Sequence, residues 1–242
     1  MTTSDTVSSP PVGVPVDSDP PKTPQLTTLT GRFVTLVPLD PQGHGGSLYE
    51  KSHGEDRESL WRYLFDGPYP NRADFDARLQ QMALSKDPLF FSILDQASRV
   101  AIGFASYLRI EPAHRCIEVG NILFTPALQR TPGATEAMYL MARHVFQDLG
   151  YRRYEWKCNS LNEPSRRAAL RLGFTFEGIF RQHMIIKGRN RDTAWYAMLD
   201  SEWPNRKASF ERWLSPANFD EKGQQRKSLA QINGLLDPAY GS

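Results

Sequence analysis

Apolar and polar positions alternate with a period of two at residues 32–38, where Phe33, Thr35 and Val37 oppose Val34 and Leu36. The same alternation sets Tyr154, Trp156 and Cys158 against Arg153, Glu155 and Lys157 over residues 153–158. Both segments read as strands. Residues 89–95 and 100–110 form two more, joined by the polar turn Gln96-Ala97-Ser98-Arg99 as a hairpin, and residues 116–124 form another, ended by Thr125-Pro126. Helical spacing takes over at residues 74–84, through Phe75, Leu79 and Met82, and at residues 135–149, through Met138, Met141, Val145 and Leu149 before Gly150. Residues 48–65 read as a polar helical region stopped by the turn at 66–70, and residues 164–172 as a short helix closed by Gly173. Strands at 174–177, 180–186 and 193–199 follow, the last two linked by residues 188–192. A helix around 208–214 comes after Trp203-Pro204, and Leu229, Ile232 and Leu235-Leu236 suit one or two more amphipathic turns. The order β, α, α, β, β, β, α, β, α, β, β, β predicts an α/β fold, a mixed sheet with helices on both faces.

Composition adds boundaries. Residues 1–29 hold six prolines and no aromatic residue, and predict a disordered tail. The folded domain is expected over 30–203, with a helix and polar tail over 204–242. At 242 residues, 40% hydrophobic and 23% charged, the chain suits one large or two small domains with a substantial core. Two cysteines, Cys116 and Cys158, exclude a disulfide scaffold and a zinc site of three or four thiolates. No apolar run approaches the ~20 residues of a membrane span. Without a recognisable leader, the expected location is the cytoplasm.

Candidate chemistry is sparse. The string Gly43-His44-Gly45-Gly46 reads as a loop, since none of the glycine-rich phosphate or nucleophile fingerprints is present. Five histidines show no ligand spacing, so no metal is expected. More telling is strand 116–124 feeding a turn and a helix at Thr135. Free backbone N–H groups at such a helix start suit an anion, and Pro132, Gly133 and Ala134 keep side chains small there. A plain capped loop fits the same residues. Residues 151–191 carry ten Lys+Arg against three acids, a net +7 in a chain of +2. That segment reads as a solvated basic face, a polyanion site or a nucleic-acid surface. Tyr154 and Trp156 look like core positions rather than a base-stacking platform. Asn162, Pro164 and Ser165 have the chemistry of a helix cap.

The string Asn162-x-x-Ser165, with Gly173-Phe174 eleven and twelve positions beyond Asn162 and then Glu177-Gly178, resembles the second motif of the GNAT N-acetyltransferases. Leu29-x-Gly31-Arg32-x-Val34-x-Leu36-x-Pro38-Leu39, Glu118-Val119-Gly120 and Thr135-Glu136-Ala137 narrow the resemblance to the ribosomal-protein-type (RimJ/RimL-like) branch, over roughly residues 29–203. It implies a GNAT fold, a mostly antiparallel mixed sheet splayed at an acyl-CoA site. It also implies acetyl-CoA as donor and a primary amine as acceptor, on a protein or peptide N-terminus or a small molecule. There are two departures. Pro132 stands where the pyrophosphate loop has its first glycine, and Ala169 stands where many members carry a tyrosine acid.

The resemblance implies direct acetyl transfer in a ternary complex. The cofactor would lie on Ile122, Leu123, Phe124, Arg130, Thr131, Gly133, Ala134, Thr135, Asn162 and Arg167. Glu118 is the candidate base, Ser165 the candidate acid for the departing thiolate, and Tyr69, His183 and Asp192 candidate acceptor contacts. No metal, membrane or nucleic acid is implied, and the assembly is expected to be a monomer or homodimer. Pro132 and Ala169 motivate an alternative, a non-catalytic acyl-CoA sensor.

Overall fold

In the computed structural model, which describes residues 12–16 and 19–234, eight strands build one sheet. They are β1 (Leu29–Thr30), β2 (Val34–Pro38), β3 (Leu89–Asp95), β4 (Ala101–Glu111), β5 (Cys116–Phe124), β6 (Arg153–Asn159), β7 (Thr175–Ile186) and β8 (Arg189–Leu199). Their order is β1-β2-β3-β4-β5-β6-β8-β7. Neighbours pair antiparallel except β5 and β6, which run parallel from Cys116 opposite Arg153 to Val119 opposite Trp156.

Among the described residues seven α-helices cover the sheet: α1 (Pro41–Ser52), α2 (Arg57–Trp61), α3 (Arg72–Leu84), α4 (Pro132–Arg143), α5 (Glu163–Arg171), α6 (Trp203–Leu214) and α7 (Leu229–Ile232). Side chains alternate across a strand, so each strand feeds two cores. Phe90, Leu94, Phe104 and Leu123 pack with Leu48, Trp61, Phe75 and Leu79 of α1–α3. Phe91, Ile93, Tyr107, Val119 and Trp156 pack on the opposite face with Met138, Met141, Phe210 and Trp213 of α4 and α6. The expected helices on both faces are therefore present, and among the described residues no helix is long and apolar enough to cross a membrane.

Several local readings change. Gly43 to Gly46 lie inside α1 rather than in a loop. Asp40 caps that helix by accepting from the Gln42 N–H at 3.0 Å, Pro41 occupies its first turn, and Gly45 is buried against α3. Capping and packing outweigh the low helix propensity of glycine. The two strands expected over 174–186 are one, β7, interrupted by register shifts. The link expected over 188–192 shrinks to Lys187-Gly188, both at positive φ (49° and 69°), as a two-residue hairpin turn demands. Helix α4 begins at Pro132, not Thr135, because Thr131 caps it by accepting from the Ala134 N–H at 3.3 Å.

Upstream, the Lys22 N–H donates to the Leu149 carbonyl at 2.9 Å, and Pro21 and Pro24 are buried, so packing reaches into the segment expected as a tail. Residues 1–11 and 17–18 of that segment, and the Leu235-Leu236 pair, lie outside the described residues.

One buried carboxylate ties this entry strand to α4. Glu136 accepts from the backbone N–H groups of Arg32 (2.8 Å), Phe33 (2.6 Å) and Val34 (2.9 Å). Gly31 passes so close that any side chain there would collide with the same carboxylate.

Candidate active site

Strand β5 carries an extra residue at its centre. Phe104 faces Leu123 but Ser106 faces Gly120, and Asn121 sits at φ 49°. This bulge bends β5 away from β6 just where their parallel ladder stops, at Val119 and Trp156. Beyond that point Gly120–Phe124 pairs with β4 alone, and its backbone groups on the β6 side have no strand partner. The parted strands open a cleft of ≈1110 Å³.

The first turns of α4 and α5 stand over this gap. At α4, Pro132 has no N–H and Thr131 Oγ1 occupies that of Ala134, so Gly133 supplies a free one. At α5, Asn162 Oδ1 accepts from the Ser165 N–H at 3.2 Å, the expected cap. Ser165 Oγ accepts from the Trp156 indole N–H at 3.0 Å, which leaves the hydroxyl proton free to donate. A sulfur already lies beside it. Burial pushes the Cys158 thiol up, and a hydrogen bond from Ser165 partly offsets this. Arg171 donates to Thr135 Oγ1 at 3.0 Å and stacks over Trp213 at 5.0 Å. Desolvation pulls its pKa down.

Ile122, Leu123, Phe124, Arg130, Thr131, Ala134, Thr135, Asn162 and Ser165 all line the cleft. Gly133 and Arg167 do not. Gly133 packs on Val34, and Arg167 lies outside, 3.6 Å from Glu163.

Glu118 also lies off the lining. It is 3% exposed, and its Oε2 sits 2.7 Å from Arg109 Nη1 and 2.9 Å from Lys157 Nζ. Lys157, itself buried, also pairs with Glu155 at 2.6 Å and lies 3.9 Å over the Trp195 ring. Burial alone would raise Glu155, but hydrogen bonds from Lys157 and Arg153 outweigh it and hold its carboxyl low.

The three expected acceptor contacts lie off the cleft lining, each with a partner in the protein. Tyr69 packs in an aromatic cluster with Trp61 and Phe75, its N–H donating to His53 Nε2 at 3.1 Å. His183 Nδ1 bonds Thr193 Oγ1 at 2.9 Å, and desolvation with three nearby cations keeps its pKa below the usual value. Asp192 is spent on the Gln182 N–H (2.7 Å) and Asn190 Nδ2 (3.0 Å). On that side the cleft is lined by Ser59, Leu60, Arg62 to Phe65 and Arg191. Arg191 was hidden in what reads as a turn, although the alternation Trp195, Thr193, Arg191 continues β8 back to it. The far end of the cleft is closed by Trp213, Phe219 and Gln225, from the region expected to be a C-terminal helix and polar tail.

A mixed sheet parted between two parallel strands, with helix N-termini over the gap, is the architecture of acyl-transfer proteins that the motifs implied. The acetyltransferase (GNAT) domain family matches residues 34–175, and the chain belongs to it. A GCN5-related N-acetyltransferase from Brucella melitensis is 50% identical, with TM-score 0.87 over 89% of this chain and 98% of that one. The ribosomal-protein-serine acetyltransferase of Escherichia coli (strain K12) is 32% identical over 102 residues, 42% of this chain and 56% of the relative. The chain thus spans about half the length of the curated relatives it matches. Microcin C7 self immunity acetyltransferase MccE, solved in complex with acetyl-CoA and AMP, shares the fold at 21% identity and TM-score 0.61, over 70% of this chain and 93% of that one.

Proposed function

We propose that the chain is an acetyl-CoA-dependent N-acetyltransferase that passes the acetyl group directly to a primary amine while both substrates are bound. The observation that carries this reading is the open edge of β5 facing a cleft ended by two helix N-termini. Pantetheine is a chain of amides and fits such an edge as a neighbouring strand would. A cleft above the roughly 300–1,000 Å³ of ordinary small-ligand sites suits a long carrier. The positive end of α4 suits the diphosphate, with Arg130 and Thr131 on the cleft wall beside it.

The amine nitrogen bonds to the thioester carbonyl carbon, the C–S bond breaks, and the amine's proton ends on the thiolate. Holding the two together supplies much of the acceleration, roughly 7–11 kcal/mol when reacting atoms are aligned. Free N–H groups near Ile122 face the developing oxyanion. Ser165 donates its hydroxyl proton to the sulfur, held in that orientation by Trp156. Glu118, spent on Arg109 and Lys157, is read as the residue that fixes those cations. An acceptor whose pKa starts near 8 supplies a neutral amine at neutral pH without a strong base.

Wild-type protein is expected to bind acetyl-CoA in calorimetry and to release thiol with a suitable amine. Ser165→Ala should leave that affinity within about threefold and lower kcat about 10²-fold, the range of a lost proton donor. Trp156→Phe, which only frees the serine to rotate, should cost about 3–10-fold in kcat. Because Pro132 removes one phosphate donor, a non-catalytic sensor is the rival. Binding without thiol release by any amine would favour it.

A further inference from the structure

The basic residues of segment 151–191 mostly have partners. Arg153 pairs with Glu155 and Glu177, Arg166 donates to the Tyr196 hydroxyl, and Arg171 donates to Thr135. Arg191 differs. It is 7% exposed, its Nε is buried with no hydrogen-bond partner among the described residues, and it lines the cleft. Its guanidinium lies 5.0 Å over the Phe65 ring, a contact that satisfies no N–H. Guanidinium does not give up its proton in a protein, so this is a buried, under-satisfied cation aimed into the cleft. Neighbouring acids do not resolve it. Glu118 is held by Arg109 and Lys157, and Asp192 by Gln182 and Asn190.

The side of the sheet matters. Lys157 stands opposite Trp195 on β6 and β8, and Arg191 is four residues from Trp195 along the strand. By strand alternation all three share the face that α2 covers, opposite the face that packs α4. The carrier's phosphate end belongs to the α4 face, so the group arriving beside Phe65 and Arg191 belongs to the acceptor.

We propose that Arg191 is the receptor for a carboxylate on the acceptor, and that the substrates of this chain are small amines bearing a carboxylate. The inference rests on the acetyltransferase reading above and narrows it. A planar fork with free N–H groups matches a carboxylate two bonds at a time. Such a ligand supplies the buried guanidinium with the counter-charge that its neighbours Glu118 and Asp192, already bonded elsewhere, do not.

The test starts with calorimetry of acetyl-CoA on the full chain, followed by thiol release on matched pairs: glycine against methylamine, serine against ethanolamine, and peptide amides that lack a carboxylate. The wild type should prefer the carboxylate member by about 10–100-fold in kcat/KM, the worth of a charged hydrogen-bonded pair. Arg191→Gln should reduce that preference to within about threefold while acetyl-CoA affinity holds. Arg191→Lys, which keeps the charge but not the fork, should raise KM for carboxylate amines and spare their uncharged partners. The lysine variant and the wild-type panel decide the matter if the glutamine variant does not fold. Equal turnover of both members, preference surviving Arg191→Gln, or acetyl-CoA binding without turnover of any carboxylate amine overturns the proposal. So does a preference that follows the acyl chain, with succinyl-CoA favoured over acetyl-CoA through Arg191. Failure to bind acetyl-CoA at all overturns the underlying reading, and this inference with it.

Discussion

Glu136→Ala is expected to lower the unfolding free energy by about 3–5 kcal/mol, from three backbone donors left unpaired at roughly 1–3 kcal/mol each and partly rehydrated at the Arg32 end. The carboxylate is 5% exposed and accepts from the N–H groups of Arg32, Phe33 and Val34. The backbone nearest to it, at Gly31, carries no side chain that could take its place. Glu136→Gln keeps the shape but has one acceptor oxygen, so about half the loss is expected. Urea unfolding gives the magnitude. Hydrogen exchange gives the location, with the amides of Arg32, Phe33 and Val34 losing protection ahead of the β3–β4 hairpin. Since α4 carries the proposed phosphate site, acetyl-CoA affinity should weaken in the folded fraction too. A uniform loss of protection across the chain would contradict a local anchor.

The second large effect is at Glu118. Removing one partner of a buried ion pair leaves an uncompensated charge and costs roughly 3–5 kcal/mol. Here Lys157 keeps Glu155, and the Arg109 side chain is 39% exposed and can rehydrate, so about 2–4 kcal/mol is expected for Glu118→Ala. Adding Lys157→Met should recover part of that loss, and the double-mutant cycle should show coupling above about 1 kcal/mol. Activity separates the two roles this carboxylate has been given. If Glu118 only fixes cations, Glu118→Gln lowers kcat but keeps the shape of the pH–rate profile. Loss of the acid limb would identify it as the proton acceptor instead.

Particular residues show what was legible. Strands β3 and β5 lie at the expected 89–95 and 116–124, because their apolar runs end in unmistakable turns. The start of α4 was readable as well. Thr131-Pro132 is a cap followed by a proline in the first turn, a stronger signal than the apolar spacing that begins at Thr135. Helix α1 was not, since four consecutive residues rich in glycine argue locally for a loop and the Asp40 cap reverses it only together with the packing of Gly45 on α3. Tyr69 lies in a loop, His183 in β7 and Asp192 in β8, and nothing in their sequence neighbourhood says that each is bonded to a neighbour.

Alternation, turn chemistry and caps are interactions between residues near in the chain. They were enough to determine the mixed sheet, most of its helices, and the motif residues Asn162 and Ser165 at the head of α5. Whether a charge is paired depends on residues far apart. Glu118 meets Arg109 across β4 and Lys157 across β6, and Arg191 meets Phe65 from a distant strand. Only the folded arrangement could decide that the first carboxylate is occupied and the last guanidinium is not, because burial removes the water that makes all such charges alike in an open chain.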